Sequence, residues 1–388
     1  GPCSGRRRIL PSGGGRVISA DRGHIRLLLT GGGTGGHLFP AVATAEELQN
    51  RHPGSEVLFV GTRRKVDSGT LAAYGFPCET ISSYGLKGKN PRELARALLA
   101  LPVGYWQALR IIRRFRPDLV FAVGGYVTGP VAAAARSRGV PLVIHEQNAI
   151  PGLANRILGR LARRICLSLT GSGAAFNPKK TVLTGNPVRR EILALGQHQA
   201  ARPGDGRKTV LVLGGSQGAH AVNRLASEAL KILAGGDGED FQVIHQTGER
   251  DVAAVAKHYA DCAVKARVEP FFRDMAEIYR QADLLVSRAG ATTLAEAAVA
   301  GIPALLIPYP FAADNHQQKN AAHYVAGGAA RQFREAELTP ELLAENIAGL
   351  FADPAALAAM AQAMARLAIP DAAQRIVACC LEVMEKQR

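Results

Sequence analysis

The chain has 388 residues, 47% of them hydrophobic and 20% charged, which is enough apolar material for two globular domains and excludes a chain disordered throughout. No apolar run reaches the roughly 18–20 residues that a bilayer-spanning helix needs, which excludes a protein built on such helices. The net charge of +15 is concentrated in residues 1–190, with 28 Lys and Arg against 9 Asp and Glu, and predicts a polyanionic partner such as nucleic acid, an anionic membrane or a phosphate-bearing substrate.

The chain begins with a basic stretch that contains several glycines. Residues 1–22 hold Arg6-Arg7-Arg8 and lack a long apolar segment, so we interpret them as a flexible basic extension or the remnant of an expression tag rather than a signal peptide. The six cysteines are scattered along the chain and form no CxxC pair. Their pattern predicts reduced thiols in a cytosol.

Strands alternate with helical stretches through the first half of the chain. Four short apolar runs are typical of buried strands: 25–30, 57–60, 119–123 and 141–144. The first run is followed by the glycine turn 31–37 and by a helical stretch at 40–48. This alternation predicts a parallel sheet with helical crossovers.

The same pattern restarts about 180 residues later. An apolar run at 209–213 precedes the glycine turn 214–218 and a helical stretch at 219–233, and further strands are predicted at 242–245, 284–286 and 304–307. Residues 196–207, which are polar, form a plausible linker. The predicted fold class is α/β, with two Rossmann-like domains that face each other across a cleft lined by the carboxyl ends of both sheets.

The first glycine turn matches the dinucleotide-binding pattern as Gly31-x-Gly33-x-x-Gly36. The strand after it ends in Arg63-Arg64-Lys65, whose charges could hold the extra phosphate of NADP, so an NADP-dependent oxidoreductase is one interpretation. The residues themselves establish a site where backbone N–H groups and a helix N-terminus could hold an anion.

Two polar groups of the first half lie at predicted strand ends. Thr34 and His37 belong to the glycine turn, where a histidine could bind an anion or act as a general base, although a histidine at a helix start is often only a cap or a surface group. The stretch 145–148, His-Glu-Gln-Asn, follows a buried strand. It is either a polar loop or part of a ligand site.

The second half offers a further anion site and an amide cluster. Residues 287–296 join a strand to a helix, and their backbone donors could hold a diphosphate while Glu296 takes two ribose hydroxyls. Thr293 and Glu296 also have the spacing of a capping box, so both roles stay open. The amides in 314–320 suit sugar hydroxyls because each amide offers a donor and an acceptor.

Together these motifs resemble the MurG family of bacterial glycosyltransferases. The resemblance runs from about residue 25 to the C-terminus and is carried by eight stretches in the order of the family: GGGTGGHLFPA, GGYVTGP, HEQNAIPGLANR, GNPVR, GGSQGAH, HQTG, SRAGATTLAE and DNHQQKNA. It implies a GT-B fold without a nicotinamide cofactor. It also implies transfer of N-acetylglucosamine (GlcNAc) from UDP-GlcNAc to lipid I, giving lipid II for peptidoglycan synthesis and thereby serving cell shape and division.

The resemblance also implies a domain plan: an acceptor domain at 23–187, a donor domain at 188–366, and a last helix at 367–388 that returns to the first domain. The residues matched on the acceptor side are Thr34, Gly35, Gly36, Tyr126 and Asn148, with His37 and Glu146 as catalytic residues. The residues matched on the donor side are Arg189, Ser216, Phe271, Phe272, Arg288, Ala291, Thr292, Thr293, Glu296, Gln317 and Gln318. Two of these depart from the family: Thr292 stands where an apolar residue is expected, and Phe272 where a smaller one is.

The implied reaction inverts the configuration of the donor sugar in a single displacement. It needs a base near the 4-hydroxyl of the acceptor, for which His37 is preferred and Glu146 is the second candidate. It also needs stabilisation of the departing diphosphate, which helix N-termini could supply. The sequence has no DxD pair on a strand-end loop, so neither a metal nor a cofactor is expected.

The segment 84–116 mixes apolar and basic residues and is predicted to lie on an anionic membrane surface. The expected location is therefore peripheral, on the cytoplasmic face of the bacterial inner membrane, with other cell-wall enzymes as further candidate partners. A core helix with a solvated basic face would show the same pattern. Three further interpretations remain: a relative with a diacylglycerol acceptor, the NADP enzyme, and a nucleic-acid binder, which no helix-turn-helix, zinc or RNA-binding signature supports.

Overall fold

The computed structural model describes residues 24–32, 35–62, 71–84, 91–197, 207–215, 218–236 and 240–386, without the side chains of 91–98 and 197. Several predicted features lie outside these residues. They are the extension 1–22, Thr34, the basic cluster 63–65, Ser216 and most of the linker 196–207.

In the described part of the first domain, seven parallel strands form one sheet in the order β3-β2-β1-β4-β5-β6-β7. The strands are β1 (Arg26–Thr30), β2 (Glu56–Gly61), β3 (Cys78–Thr80), β4 (Leu119–Ala122), β5 (Leu142–Glu146), β6 (Arg164–Leu167) and β7 (Thr181–Leu183). The central strands β1, β4 and β5 are apolar along most of their length because helices cover both faces of the sheet.

The helices of the first domain are α1 (Gly35–Arg51), α2 (Pro91–Phe115), α3 (Thr128–Ser137) and α4 (Leu153–Leu158). Helices α2, α3 and α4 share one core with the sheet, whereas α1 covers the opposite face. Two short 3-10 helices, Thr170–Ala175 and Pro178–Lys180, follow β6.

The second sheet has six parallel strands among the described residues, in the order β10-β9-β8-β11-β12-β13. They are β8 (Lys208–Leu213), β9 (Phe241–Gln246), β10 (Ala266–Glu269), β11 (Leu284–Ser287), β12 (Ala304–Leu306) and β13 (Ala330–Gln332). The helices are α5 (Arg190–Gln197), α6 (His220–Ala234), α7 (Val252–Asp261), α8 (Met275–Gln281), α9 (Ala291–Ala300), α10 (His316–Ala326), α11 (Pro340–Ala352) and α12 (Pro354–Arg366), with a 3-10 helix at Ala313–Asn315. The predicted fold class, two Rossmann-like domains with parallel sheets, is confirmed.

The last helix, α13 (Ala372–Glu385), packs against α1 and the first sheet. Its Cys379 and Cys380 lie in the same core as Cys166 of β6, and all three are free thiols. Across the described residues, no single helix has the length and apolarity to cross a membrane; α11 and α12 meet that test only as a pair, and they are bent by 97°.

Candidate active site

A cavity of about 340 Å³ lies between the two domains, at the low end of the size range of small-molecule sites. Its first-domain wall is formed by Gly36 and His37 of α1 and by the loop that follows β5. Its second-domain wall includes Gly215 of the second glycine turn and the first turn of α9. The cavity therefore lies at the carboxyl ends of strands from both sheets, as parallel sheets predict.

Helix α9 presents an uncapped N-terminus to this cavity. Its N-cap is Gly290, which has extended backbone angles and offers no side chain to the first-turn N–H groups. The alternative interpretation of Thr293 and Glu296 as a capping box is therefore wrong, because the helix begins at Ala291, directly after the strand-end loop, and places Thr293 inside the first turn. The N–H groups that a cap would satisfy remain available to an anion.

Glu296 is buried one turn further along the same helix, 4% exposed. Its Oε1 accepts a hydrogen bond from Nε of Arg189 at 3.0 Å, and its Oε2 accepts one from the hydroxyl of Tyr279 at 3.1 Å. Burial raises the pKa of the Glu296 carboxyl, and Arg189 opposes that rise. A carboxylate has about four acceptor positions, so two remain for hydroxyl groups of a ligand.

Arg189 connects the carboxylate to the first domain. It belongs to the segment that leads into α5, and its guanidinium carbon lies 4.4 Å from the centre of the Phe39 ring. Phe39 belongs to α1, so this cation–π contact joins the two walls of the cavity. The Arg189–Glu296 pair is enclosed from both sides, and removal of either partner would leave a buried charge.

Glu146 ends β5 and is almost fully buried. Its Oε1 accepts hydrogen bonds from the main-chain N–H and side-chain amide of Asn148, at 3.0 and 3.4 Å. Its Oε2 accepts from the N–H of Gly152 at 3.2 Å and from the amide of Asn155 at 2.8 Å. Burial raises the pKa of Glu146, and these four donors counteract the rise. All four acceptor positions are occupied, three by donors of the loop after β5 and one by Asn155 of α4.

His37 lies in the first turn of α1 rather than in a turn before the helix. Gly35 and Gly36 resemble a turn in the sequence, but the structure places both in the helix. The His37 ring packs over the turn after β4, where a Cβ on Gly124 would lie 3.4 Å from its Cε1 atom. Gly124 has a φ of +98°, so the turn favours glycine here for its backbone conformation.

The other predicted donor-side residues differ in where their side chains point. Phe271 is 43% exposed and lines the cavity, whereas Phe272 is 1% exposed and packs in the core of the second domain. The main-chain N–H of Phe272 donates to Oε1 of Gln246 at 3.0 Å. Phe272 is therefore connected to the cavity only through this bond to Gln246, which lines the wall.

Arg288 is held away from the cavity by neighbours in its own domain. It pairs with Glu335 at 2.5 Å and donates to the carbonyl of Ile307 at 3.0 Å. Gln317 lines the cavity and accepts a hydrogen bond from the N–H of Tyr309 at 2.9 Å. Gln318 follows it on α10 and is partly buried.

Tyr126 lies after β4 and is 56% exposed, so it is accessible to a large acceptor. Thr34 and Ser216 lie outside the described residues, so the structure does not position them.

Tyr279, Gln246 and Asn320 were not predicted as individual site residues. Asn320 belongs to the motif DNHQQKNA, but its hydrogen-bond partners Asn148 and Ala149 are about 170 residues away in the sequence. No sequence motif around Tyr279 indicates a role in a site.

No group of three or more His, Cys, Asp or Glu in the described ranges is arranged to hold a metal ion. The positive ends of α1 and α9 adjoin the cavity, and the charge of Arg189 there is balanced by Glu296. This arrangement suits a ligand with a diphosphate.

Comparison with known proteins identifies relatives along nearly the whole chain. The model of the glycosyltransferase family 28 N-terminal domain matches residues 27–167, and that of the family 28 C-terminal domain matches residues 209–376. A protein of Desulfotalea psychrophila is 54% identical, covering 93% of this chain and 97% of its own. One of Myxococcus xanthus is 44% identical, covering 93% of each chain.

Both relatives are named UDP-N-acetylglucosamine--N-acetylmuramyl-(pentapeptide) pyrophosphoryl-undecaprenol N-acetylglucosamine transferase. The crystal structure of Acinetobacter baumannii MurG is similar with a TM-score of 0.72 and 31% sequence identity, covering 92% of this chain and 99% of the other. The resemblance inferred from the motifs is confirmed.

Proposed function

The chain belongs to glycosyltransferase family 28, and from this membership we infer that it transfers GlcNAc from UDP-GlcNAc to the 4-hydroxyl of the N-acetylmuramyl sugar of lipid I. The product is lipid II, the disaccharide precursor of peptidoglycan. The observation that supports this inference most directly is the cavity between the domains, into which the uncapped N-terminus of α9 opens opposite His37. The family and the cavity together favour a glycosyltransferase over an NADP-dependent enzyme or a nucleic-acid binder.

On the donor side, the first-turn N–H groups of α9 at Ala291, Thr292 and Thr293 would bind the diphosphate of UDP-GlcNAc. Glu296 would accept the two ribose hydroxyls with its remaining acceptor positions. Phe271 and the main chain of Phe272 would contact the base, and Gln317 and Gln318 the sugar. Arg189 orients Glu296, and the proposed role of Arg288 is to hold the loop that leads to Tyr309, over whose ring its guanidinium lies at 5.3 Å.

On the acceptor side, Gly35, Gly36 and His37 would hold or face the diphosphate and sugar of lipid I. The proposed acceptor domain is 23–187 together with the returning helix at 367–388, and the proposed donor domain is 188–366. Tyr126 and Asn148 would contact the acceptor from the turns after β4 and β5. Thr34 and Ser216 belong to the same proposal on the basis of the motif alone.

The reaction proceeds by attack of the acceptor 4-oxygen on C1 of GlcNAc. The bond between C1 and the diphosphate oxygen breaks, UDP leaves with the electron pair, and the hydroxyl proton passes to a base. His37 is the proposed base because it lines the cavity, whereas the carboxylate of Glu146 is fully engaged by donors of the loop after β5 and of α4. Glu146 is then a residue that orders the acceptor loop. The N-terminus of α9 stabilises the charge that develops on UDP.

Association with the membrane is proposed for the segment 84–116. Leu99, Val103 and Trp106 are 75%, 49% and 63% exposed on α2, and their spacing places them on one face of the helix. Arg113 and Arg114 lie in the last turn. Apolar side chains flanked by basic ones suit the surface of an anionic bilayer, and with the lipid-linked acceptor this supports a peripheral position on the cytoplasmic face of the inner membrane.

A donor screen tests the proposed function. The full chain is heated with UDP-GlcNAc, UDP-GalNAc, UDP-glucose or NADPH, each at the same concentration. Because a ligand at about 100 times its Kd stabilises the native state by about 2.7 kcal/mol, UDP-GlcNAc should raise the Tm by several degrees and more than the other three. A shift with NADPH and none with the UDP-sugars would contradict the proposal. A UDP-sugar shift without transfer to lipid I would favour another lipid acceptor, such as diacylglycerol.

A further inference from the structure

One side chain of the second domain makes hydrogen bonds to the loop after β5 in the first domain. Asn320, on α10, is completely buried. Its Oδ1 accepts from the N–H of Ala149 at 2.8 Å, and its Nδ2 donates to Oδ1 of Asn148 at 3.1 Å. The same Nδ2 donates to the carbonyl of Ala289 at 3.1 Å, in the loop before α9. One amide thus joins α10, the start of α9 and the loop after β5.

A second side chain makes a similar connection to the first helix. The hydroxyl of Thr292 donates to the carbonyl of Gly36 in the first turn of α1 at 2.9 Å. It also accepts a hydrogen bond from the amide of Asn186, in the segment that joins the domains, at 3.4 Å. An apolar residue, which the family resemblance leads us to expect at position 292, could make neither bond.

The two connections start from the two helices that carry the proposed donor residues. Gln317 and Asn320 are three residues apart on α10 and therefore lie on one face, and Thr292 and Glu296 have the corresponding spacing of four on α9. Each helix is rigid over this distance, so its donor residue and its interdomain residue move together. A movement of either helix on donor binding would therefore also move its contact with the first domain.

We propose that Asn320 and Thr292 are positioning residues that couple the donor helices to the loop after β5 and to the first turn of α1, so that Asn148 and His37 reach their working positions only when the domains are closed. This rests on the proposed function of the cleft. Asn320 acts through Asn148, which in turn bonds to Glu146. Thr292 acts on the main chain of Gly36, the residue before His37.

The test uses substitutions that keep the branching and the number of side-chain heavy atoms and remove the hydrogen bonds, Asn320→Leu and Thr292→Val. Three hydrogen bonds of ordinary strength are lost in the first and two in the second. We expect kcat with a soluble lipid I analogue to fall about 10- to 100-fold for Asn320→Leu and about 3- to 10-fold for Thr292→Val. The Kd for UDP should stay within about twofold of the wild-type value for Asn320→Leu, because Asn320 is not a proposed contact of UDP.

Small-angle X-ray scattering measures closure independently of activity. With UDP bound, Asn320→Leu should have a larger radius of gyration than the wild type. The control is Leu343→Ala, which removes a buried side chain from the core formed by α6, α7 and α11 in the second domain. It should lower the Tm without changing kcat or the radius. A structural role alone predicts that Asn320→Leu behaves like this control.

The outcomes separate this inference from the proposed function. If the wild type transfers GlcNAc and both variants keep its kcat and radius of gyration, the positioning role is wrong while the proposed function stands. If the wild type does not transfer GlcNAc at all, the proposed function itself is wrong. If Asn320→Leu does not fold, the Thr292→Val variant decides the question. The wild-type Thr292 hydroxyl bonds to the main chain of α1, so an unchanged kcat of Thr292→Val would overturn the proposed coupling.

Discussion

His37 and Glu146 are two polar side chains of the first domain with opposite surroundings. Four donors from the loop after β5 and from α4 occupy the oxygens of Glu146, so its carboxylate has no position left for a proton from the substrate. His37 lines the cavity and packs on Gly124, so its imidazole lies beside the space that a ligand would fill. At the residue scale, the structure therefore separates a candidate base from a carboxylate that orders a loop.

Replacement of His37 by alanine should lower kcat about 10²- to 10⁴-fold, the usual contribution of a general base. The affinity for UDP-GlcNAc should hardly change, because the proposed donor contacts lie on the second domain. Steady-state kinetics with a soluble lipid I analogue and calorimetry with UDP measure both quantities. His52→Ala is the control, since His52 follows the last residue of the same helix. A raised acceptor KM with kcat retained would mean that His37 only grips the acceptor diphosphate.

Replacement of Glu296 by glutamine should weaken UDP binding about 10- to 150-fold, since hydrogen bonds to a charged group contribute about 1.5–3 kcal/mol. Tyr279→Phe is the matched control because it removes one bond to the same carboxylate and leaves the charge in place. Its UDP affinity should stay within a few-fold of the wild-type value. If Glu296→Gln binds UDP with normal affinity and only its Tm falls, the carboxylate stabilises the fold by pairing with Arg189 and does not bind the ribose.

At the scale of secondary structure, the chemistry of the cleft depends on how two helices begin. Helix α1 begins with two glycines and has no acidic residue in its first turn, and α9 begins after Gly290 without a side-chain cap. The hydrogen bond from Thr292 to Gly36 brings these two first turns into contact. Two positive helix ends thus converge where the proposed diphosphates meet.

Because helix N-termini would stabilise the departing UDP, chelation of divalent metals should leave most of the activity intact. The measurement is the transfer rate after treatment with EDTA, compared with the rate after magnesium or manganese is added back. Within the described residues, no cluster of ligands for a metal faces the cavity. Complete loss of activity that either ion restores would contradict the proposed role of α9.

The exposed apolar face of α2 predicts peripheral binding to anionic membranes. The double variant Leu99→Glu/Trp106→Glu should lose its binding to vesicles that contain anionic phospholipid, because two carboxylates replace apolar contacts at a negative surface. Turnover of a soluble acceptor should survive. The control is Ile232→Glu, a side chain 42% exposed on α6 of the second domain. Sedimentation with vesicles measures binding, and unchanged binding of the double variant would place the membrane face elsewhere.

At the scale of the whole molecule, the repeated order of strand, glycine turn and helix was sufficient to predict two Rossmann-like domains and a cleft between them. The starts of two helices were misjudged because their residues are locally ambiguous. Gly35 and Gly36 resemble a turn but begin α1, and Thr293 resembles an N-cap but lies inside α9, which begins at Ala291. The interdomain bonds of Asn320 could not be predicted, because they join positions about 170 residues apart. Such pairs depend on how the domains close, which no local pattern encodes.

The most direct test of the account is the transfer reaction itself. The purified full chain is incubated with UDP-GlcNAc and a soluble lipid I analogue, and the products are analysed by mass spectrometry and NMR. We predict equal amounts of UDP and a disaccharide in which GlcNAc is β-linked to the 4-oxygen of the N-acetylmuramyl sugar. An α-linked product would contradict the single displacement. Release of UDP without any disaccharide, or no reaction with UDP-GlcNAc, would contradict the central claim that this cleft joins the two sugars.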